Sequence, residues 1–268
     1  MAYKLLVVGG GRMGSALVAG LLQANWCAPS ELAVVESNAA TRDELATRFP
    51  ALAILEQVTK GDLDEKTGAV LCVKPDSAEA VARTLSGVGV SRLLSVVAGL
   101  STQRLEATFK NSIPVVRSMP NTPVLVGEGV SAISGGEHCV GADLEWAESI
   151  LGAVGTVVRV PERYQDTVGA LSGAMPAYLY MIVESLIEAG VHQGLTRDLS
   201  TTLVVDTFAG AGQLLKQSGE TPEQLRFNVT SPGGVTAAGL RMLEQRAVRA
   251  AFLEAVAAAA ERSRQLGR

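Results

Sequence analysis

Cysteine is scarce in this chain of 268 residues: Cys27, Cys72 and Cys139 are odd in number, far apart, and form no C-x-x-C pair. That argues against a disulfide framework and against a cysteine-built zinc site, and no metal is expected. Aromatic residues make up only 4%, so the core must be built from Ala, Val and Leu. The two histidines, His138 and His192, stand in no motif and read as structural or surface groups, which removes the most obvious proton donor. A basic cluster is also missing, and the net charge is −4, a poor match for nucleic acid or an anionic membrane. The amino-terminal MAYKLLVVGGG has too short an apolar run for a signal peptide. By the same reading the longest apolar runs fall far short of a membrane span. A soluble, cytoplasmic protein with a small-molecule partner is expected.

What is present is alternation. Leu5 to Val8 and Leu32 to Val35 read as buried strands, and Arg12 to Gln23 and Thr41 to Phe49 as helices. Apolar runs recur at Ala69 to Val73, Leu93 to Val97, Val115 to Arg117 and Gly129 to Ile133. Strands alternating with helices predict an α/β fold: a Rossmann-type, mostly parallel, doubly wound sheet over residues 1–160. Beyond Pro161 the period changes. Leu179, Ile182, Val183, Leu186 and Ile187, then Leu203, Val204, Phe208, Ala211, Leu214 and Leu215, follow helical spacing, and Ala250 to Gln265 is an Ala-rich helix. Residues 161–268 therefore read as an all-helical domain. Helices this apolar in so short a domain suggest a second copy of the chain as cover.

Gly9-Gly10-Gly11-Arg12-Met13-Gly14 fits G-x-G-x-x-G between a strand and a helix. The first glycine permits the turn, the next conserves space for a pyrophosphate, and the last lets helix pack on strand. The helix amino terminus supplies free N–H groups for the phosphates. An ordinary glycine turn is the bland alternative. Glu36 closes the second strand, 22 residues after Gly14, where a carboxylate accepts from a ribose 2′-OH and favours NADH. Ser37, Asn38 and Arg42 stand close enough to hold a 2′-phosphate instead, so the cofactor is written NADPH or NADH, with a lean to NADH.

Ser231-Pro-Gly-Gly-Val-Thr236 precedes an apolar helical pattern from Ala238 to Leu243. Gly233 and Gly234 leave backbone N–H groups free, and such a nest holds a carboxylate without a cation. A plain helix cap with Thr236 serving its own helix explains the spacing equally well.

Several segments together resemble the pyrroline-5-carboxylate reductase family over nearly the whole chain. They are Asn228-Val-Thr-Ser-Pro-Gly-Gly-Val-Thr236 with its continuation to Glu244, Cys72-Val-Lys-Pro75, Ser95-Val-Val-Ala-Gly99, and Val116-Arg-Ser-Met-Pro-Asn-Thr-Pro123. The resemblance implies hydride transfer from NAD(P)H to the C=N bond of 1-pyrroline-5-carboxylate, giving L-proline. It also implies a cofactor lined by Gly9 to Gly14, Glu36, Ser37, Asn38, Val73, Lys74, Pro75, Val96, Ala98, Gly99, Asn121 and Asn228. The substrate would be held by Glu162, Asn228, Ser231, Gly233, Gly234, Val235 and Thr236, with the Thr236 hydroxyl on the ring nitrogen as the catalytic group. For Glu162 a helix-start carboxylate is the alternative, and for Lys74 a surface lysine. Dimers formed through the helical domain, possibly assembled into decamers, are implied as well.

One stretch departs from the family: Ser172-Gly-Ala-Met-Pro-Ala-Tyr178 stands where Ser-Gly-Ser-Gly-Pro-Ala-Tyr is usual. Ala174 and Met175 keep a different ring, such as a piperideine carboxylate, as an alternative substrate. A β-hydroxyacid-type dehydrogenase is disfavoured, because its lysine acid has no counterpart: after Pro161 the only lysine is Lys216. A non-catalytic nucleotide-sensing protein would have lost Thr236 or the glycine nest, and both remain.

Overall fold

The computed structural model describes residues 3–266. The chain forms two compact units, one running to Ala174 and resuming at Ala259, the other spanning Met175–Ala258. In the first unit β1 (Leu5–Val8), β2 (Leu32–Val35), β3 (Ala53–Leu55), β4 (Gly68–Leu71), β5 (Arg92–Ser95), β6 (Val115–Met119), β7 (Gly129–Gly135) and β8 (Gly155–Arg159) form one sheet in the order β3-β2-β1-β4-β5-β6-β7-β8. Every pairing is parallel except β6 with β7. Among the helices are α1 (Arg12–Gln23), α2 (Ala39–Arg48), α3 (Pro75–Val88), α4 (Thr102–Glu106), α5 (Gly141–Leu151) and α6 (Gln165–Val168).

The strands are covered on both faces, which is why they read as continuous apolar runs. Leu5 and Val7 face a cluster with Leu17 and Leu21 of α1 and Ile150 of α5. Leu6 and Val8 face the other, with Ala78, Ala82 and Leu85 of α3. Burying each such leucine or isoleucine contributes about 1.5–3 kcal/mol. In the central ladders Val8 is level with both Val35 and Leu71, and Leu71 with Ser95. The carboxyl ends of β2, β1, β4 and β5 therefore stand in one row, the place where open α/β sheets bind ligands.

The division between the units falls at Ala174, later than the Val160-Pro161 boundary that the change of period predicts. The intervening residues are bound to the sheet. Gln165, fully buried, donates to the Ala132 carbonyl (3.2 Å) and to Ser134 Oγ (2.8 Å). Gly169–Gly173 form one π-helical turn lying against Met119. Periodicity reports the helical conformation of this stretch but not which unit it packs on.

The second unit is helical: α7 (Met175–His192), α8 (Arg197–Ser218), α9 (Pro222–Asn228), α10 (Val235–Gln245) and most of α11 (Val248–Leu266). A turn at Gly194 (φ +93) joins α7 to α8, whose first turn is capped by Thr196. Leu179, Leu186, Leu203, Phe208, Ala211 and Leu215 line an apolar groove of about 730 Å³. One helical run, Glu162–His192, is long and apolar enough to cross a membrane by length and composition, with only 11% of its most apolar window buried. The expectation that apolar runs fall short of a span holds for unbroken runs but not for this helix taken by length and composition.

Candidate functional site

The loop after β1 has the geometry of a dinucleotide cradle. Gly9 adopts φ +103, and a Cβ there would stand 2.6 Å from the Cys72 carbonyl oxygen. A Cβ on Gly14 would collide with the Gly9 carbonyl, so both positions admit glycine alone. Gly11, the residue before α1, has open space where its side chain would be, and no side chain caps the helix. Arg12 and Met13 open α1, whose free N–H groups face that space. These residues fit a bound pyrophosphate.

At the end of β2, Glu36 is held by two backbone amides: Gly10 N–H donates to Oε2 and Asn38 N–H to Oε1, both at 2.8 Å. The Asn38 side chain instead caps α2 through Thr41 N–H. Arg42 donates to the carbonyls of Glu36 (3.0 Å) and Ser37 (2.8 Å) and pairs with Glu56 at 3.5 Å. Gly9, Glu36, Ser37, Val73, Val81 and Glu56 line a cavity of about 190 Å³. Glu56, which directly follows β3, is absent from the sequence-derived set, since the pairing of that strand with β2 is a tertiary feature.

Further along the row, Lys74 is exposed and precedes α3, with Pro75 at the first helical position. Burial pushes the Cys72 thiol up to about 12, so it is an inert neighbour of the loop. Val96 N–H donates to the Leu71 carbonyl (3.1 Å), which fixes the start of the loop carrying Ala98 and Gly99 (φ +74). Asn121 lies deeper in the structure: its Oδ1 accepts from Val130 N–H (2.8 Å), and its amide donates to Ser172 Oγ (3.3 Å).

Glu162 is also committed. Oε1 accepts from Thr102 N–H (2.8 Å) and from Arg117 (3.3 Å), and Oε2 from the Thr102 hydroxyl (2.7 Å). Arg117, buried within β6, reaches Asp166 as well (3.5 Å), and Asp166 accepts from Ser263 of α11 (2.8 Å). Thr102 was not singled out from the sequence, and Arg117, quoted within the segment Val116 to Pro123, was given no role; an arginine inside an apolar strand pattern was the available signal.

In the second unit the glycine-rich entry forms as expected. Gly233 takes φ +71, Gly234 N–H bonds the Ser231 carbonyl (3.0 Å), and no side chain caps α10. The competing reading, a cap supplied by Thr236, is thus not realised: Thr236 sits in the first turn with its hydroxyl exposed. Val235 is 93% exposed. Asn228, at the end of α9, donates to Glu220 (3.0 Å) and accepts from Gln224 (2.7 Å). Glu220, which the motif reading missed, is therefore part of the same exposed cluster. No group of histidines, cysteines and carboxylates suited to a metal occurs among the described residues.

Comparison with known proteins accounts for both units. Residues 162–266 match the family described as pyrroline-5-carboxylate reductase dimerisation, and residues 4–99 the family described as NADP oxidoreductase, coenzyme F420-dependent. A pyrroline-5-carboxylate reductase of Corynebacterium melassecola is 39% identical over 98% of each chain. Among solved structures, a pyrroline-5-carboxylate reductase of Coxiella burnetii aligns over 100% of both chains at 30% identity with a TM-score of 0.91. A pyrroline carboxylate reductase of Plasmodium falciparum with NADP bound aligns at 33% identity, covering 99% and 98%, with a TM-score of 0.83.

Proposed function

The chain belongs to the pyrroline-5-carboxylate reductase family, and on that premise we propose how its own residues carry the reaction. The protein is an oxidoreductase that reduces 1-pyrroline-5-carboxylate to L-proline with NAD(P)H. The cofactor, when bound, supplies the hydride; the chain supplies position and electrostatics. Gly9 to Gly14 hold the pyrophosphate, and Val73, Lys74, Pro75, Val96, Ala98, Gly99 and Asn121 form the rest of its wall. Asn228, Ser231, Gly233, Gly234 and Val235 hold the substrate, the uncapped N–H groups of α10 taking its carboxylate.

Thr236 hydrogen-bonds the ring nitrogen and orients the C=N bond. A threonine hydroxyl does not ionise near neutrality, so it relays or positions a proton already on the imine. The observation that carries this reading is the uncapped amino terminus of α10 with the Thr236 hydroxyl free beside it. Thr236→Ala tests it by NAD(P)H oxidation with pyrroline-5-carboxylate. A fall in kcat of about 10²-fold with cofactor binding intact supports the role. Unchanged turnover overturns it.

Three finer points belong to the same proposal. NADH is the preferred cofactor, because Glu36 and Glu56 border the ribose pocket and Arg42 is tied to backbone carbonyls and Glu56. The kcat/KM ratio for the two cofactors, in the native protein and in Glu36→Ala, checks this. Self-association runs through the helical domain and extends to a decamer, which sedimentation measures. The protein resides in the cytoplasm, which cell fractionation checks.

A further inference from the structure

The Glu162 carboxylate has three donors on it, all from the sheet-bearing unit: Thr102 N–H, the Thr102 hydroxyl and Arg117. A carboxylate offers about four acceptor sites, so little of this one is left for a ligand. Thr102 is 4% exposed and Arg117 7% exposed, so the junction is buried where it is made. Removing one partner from such a junction strands the others, which makes it costly to break and therefore specific in geometry.

What the junction holds is the loop Val96–Ser101. That loop leaves β5 in the row of strand ends next to β4, two places from the glycine loop of β1. Its upstream end is tied to Leu71. Its downstream end is the first residue of α4, and there Thr102 is tied by both backbone and side chain to Glu162. Two residues on, Arg104 reaches Glu79 of α3 at 2.6 Å, linking the same loop to the helix that begins at Pro75.

We propose that Glu162 is a positioning residue for the cofactor, acting through Thr102 on the Ala98-Gly99 loop with Arg117 as its counter-charge, and not a substrate ligand. The inference rests on the reading that Ala98 and Gly99 border the cofactor. Arg117 lies 3.3 Å from Glu162 Oε1 and holds that carboxylate in place, and Asp166 and Ser263 brace Arg117 from the other side.

The test is steady-state kinetics on the full chain with pyrroline-5-carboxylate, varying cofactor and imine separately, for Glu162→Ala, Glu162→Gln and Ala98→Leu. The expected result for Glu162→Ala is a cofactor KM raised about ten-fold, with kcat and imine KM changed less than about three-fold. Glu162→Gln keeps the shape and an acceptor for Thr102, so it falls between native and alanine, and it gives the same readout should the alanine variant not fold. An imine KM raised with the cofactor KM unchanged overturns the proposal in favour of direct substrate contact. A lower melting temperature with both KM values unchanged overturns it in favour of a purely structural brace. If Ala98→Leu leaves the cofactor KM unchanged, the loop assignment fails and the proposal falls with it. If Ala98→Leu raises the cofactor KM and neither Glu162 variant does, the clasp alone fails.

Discussion

In the sheet-bearing unit Leu5, Leu6, Leu71, Leu93 and Leu94 have no exposed surface, whereas in the helical unit Leu203, Leu214 and Leu243 are each more than half exposed. The first set stands in largely apolar strands, the second on amphipathic helices. A sheet covered by helices on both faces buries its strands within one chain. A few helices packed side by side leave an outer apolar face that one chain does not cover. The family model matched over residues 162–266 is one of dimerisation, which supports self-association of the chain. Completeness in one unit and incompleteness in the other thus follow the difference in architecture.

The largest way to break this contrast lies in the complete unit. Gly14→Val forces a branched side chain onto the Gly9 carbonyl, and cofactor binding measured by fluorescence titration is expected to fall more than about 100-fold. Next is Ile150→Ala, fully buried between α5 and the sheet, which is expected to cost about 2–5 kcal/mol in denaturant unfolding regardless of protein concentration. The matching change in the helical unit is Leu203→Glu, in the apolar groove. Sedimentation is expected to show loss of self-association, and the melting temperature, concentration-dependent in the native protein, becomes flat. A Leu203→Glu protein that still associates would move the interface elsewhere on the helices.

The smallest effect concerns the exposed latch between α3 and α4. Hydrogen bonding to Arg104 lowers the Glu79 pKa below the ordinary carboxylate range. A depressed carboxylate contributes stability that is present above its unfolded pKa and lost as pH falls through its folded pKa. Acid titration of Glu79→Gln against the native protein is therefore expected to show a slight difference at neutral pH that vanishes in acid. The effect is slight because the pair is solvent-screened.

Much of the sheet-bearing unit was legible along the chain. β1, α1 and β2 fall where the apolar runs and the glycine motif put them, because buried parallel strands are uninterrupted and a helix opening after G-x-G-x-x-G has a fixed start. β3 was missed although it ends the apolar run Ala51 to Leu55, a short edge strand of three residues. The runs at Ala69 and Leu93 overshot, since Cys72, Val73, Val96 and Val97 are apolar yet have already left the ladder to form the ligand-facing loops. The glycine nest before α10 was legible as a shape, and the structure shows that no side chain caps that helix, which leaves the carboxylate reading as a proposal.

By itself the sequence determined the conformation of each segment and the chemistry each can offer, since period, glycine placement and capping are local properties. Which carboxylate serves which partner was decided by the tertiary structure. Glu162 was expected to be a substrate ligand from the family resemblance, with a helix-start carboxylate as the alternative. It became the partner of Thr102 and Arg117 because the turn that carries it packs on β6 and α4. Hydrogen bonds and ion pairs between residues so distant in sequence follow from packing, and no local pattern encodes them.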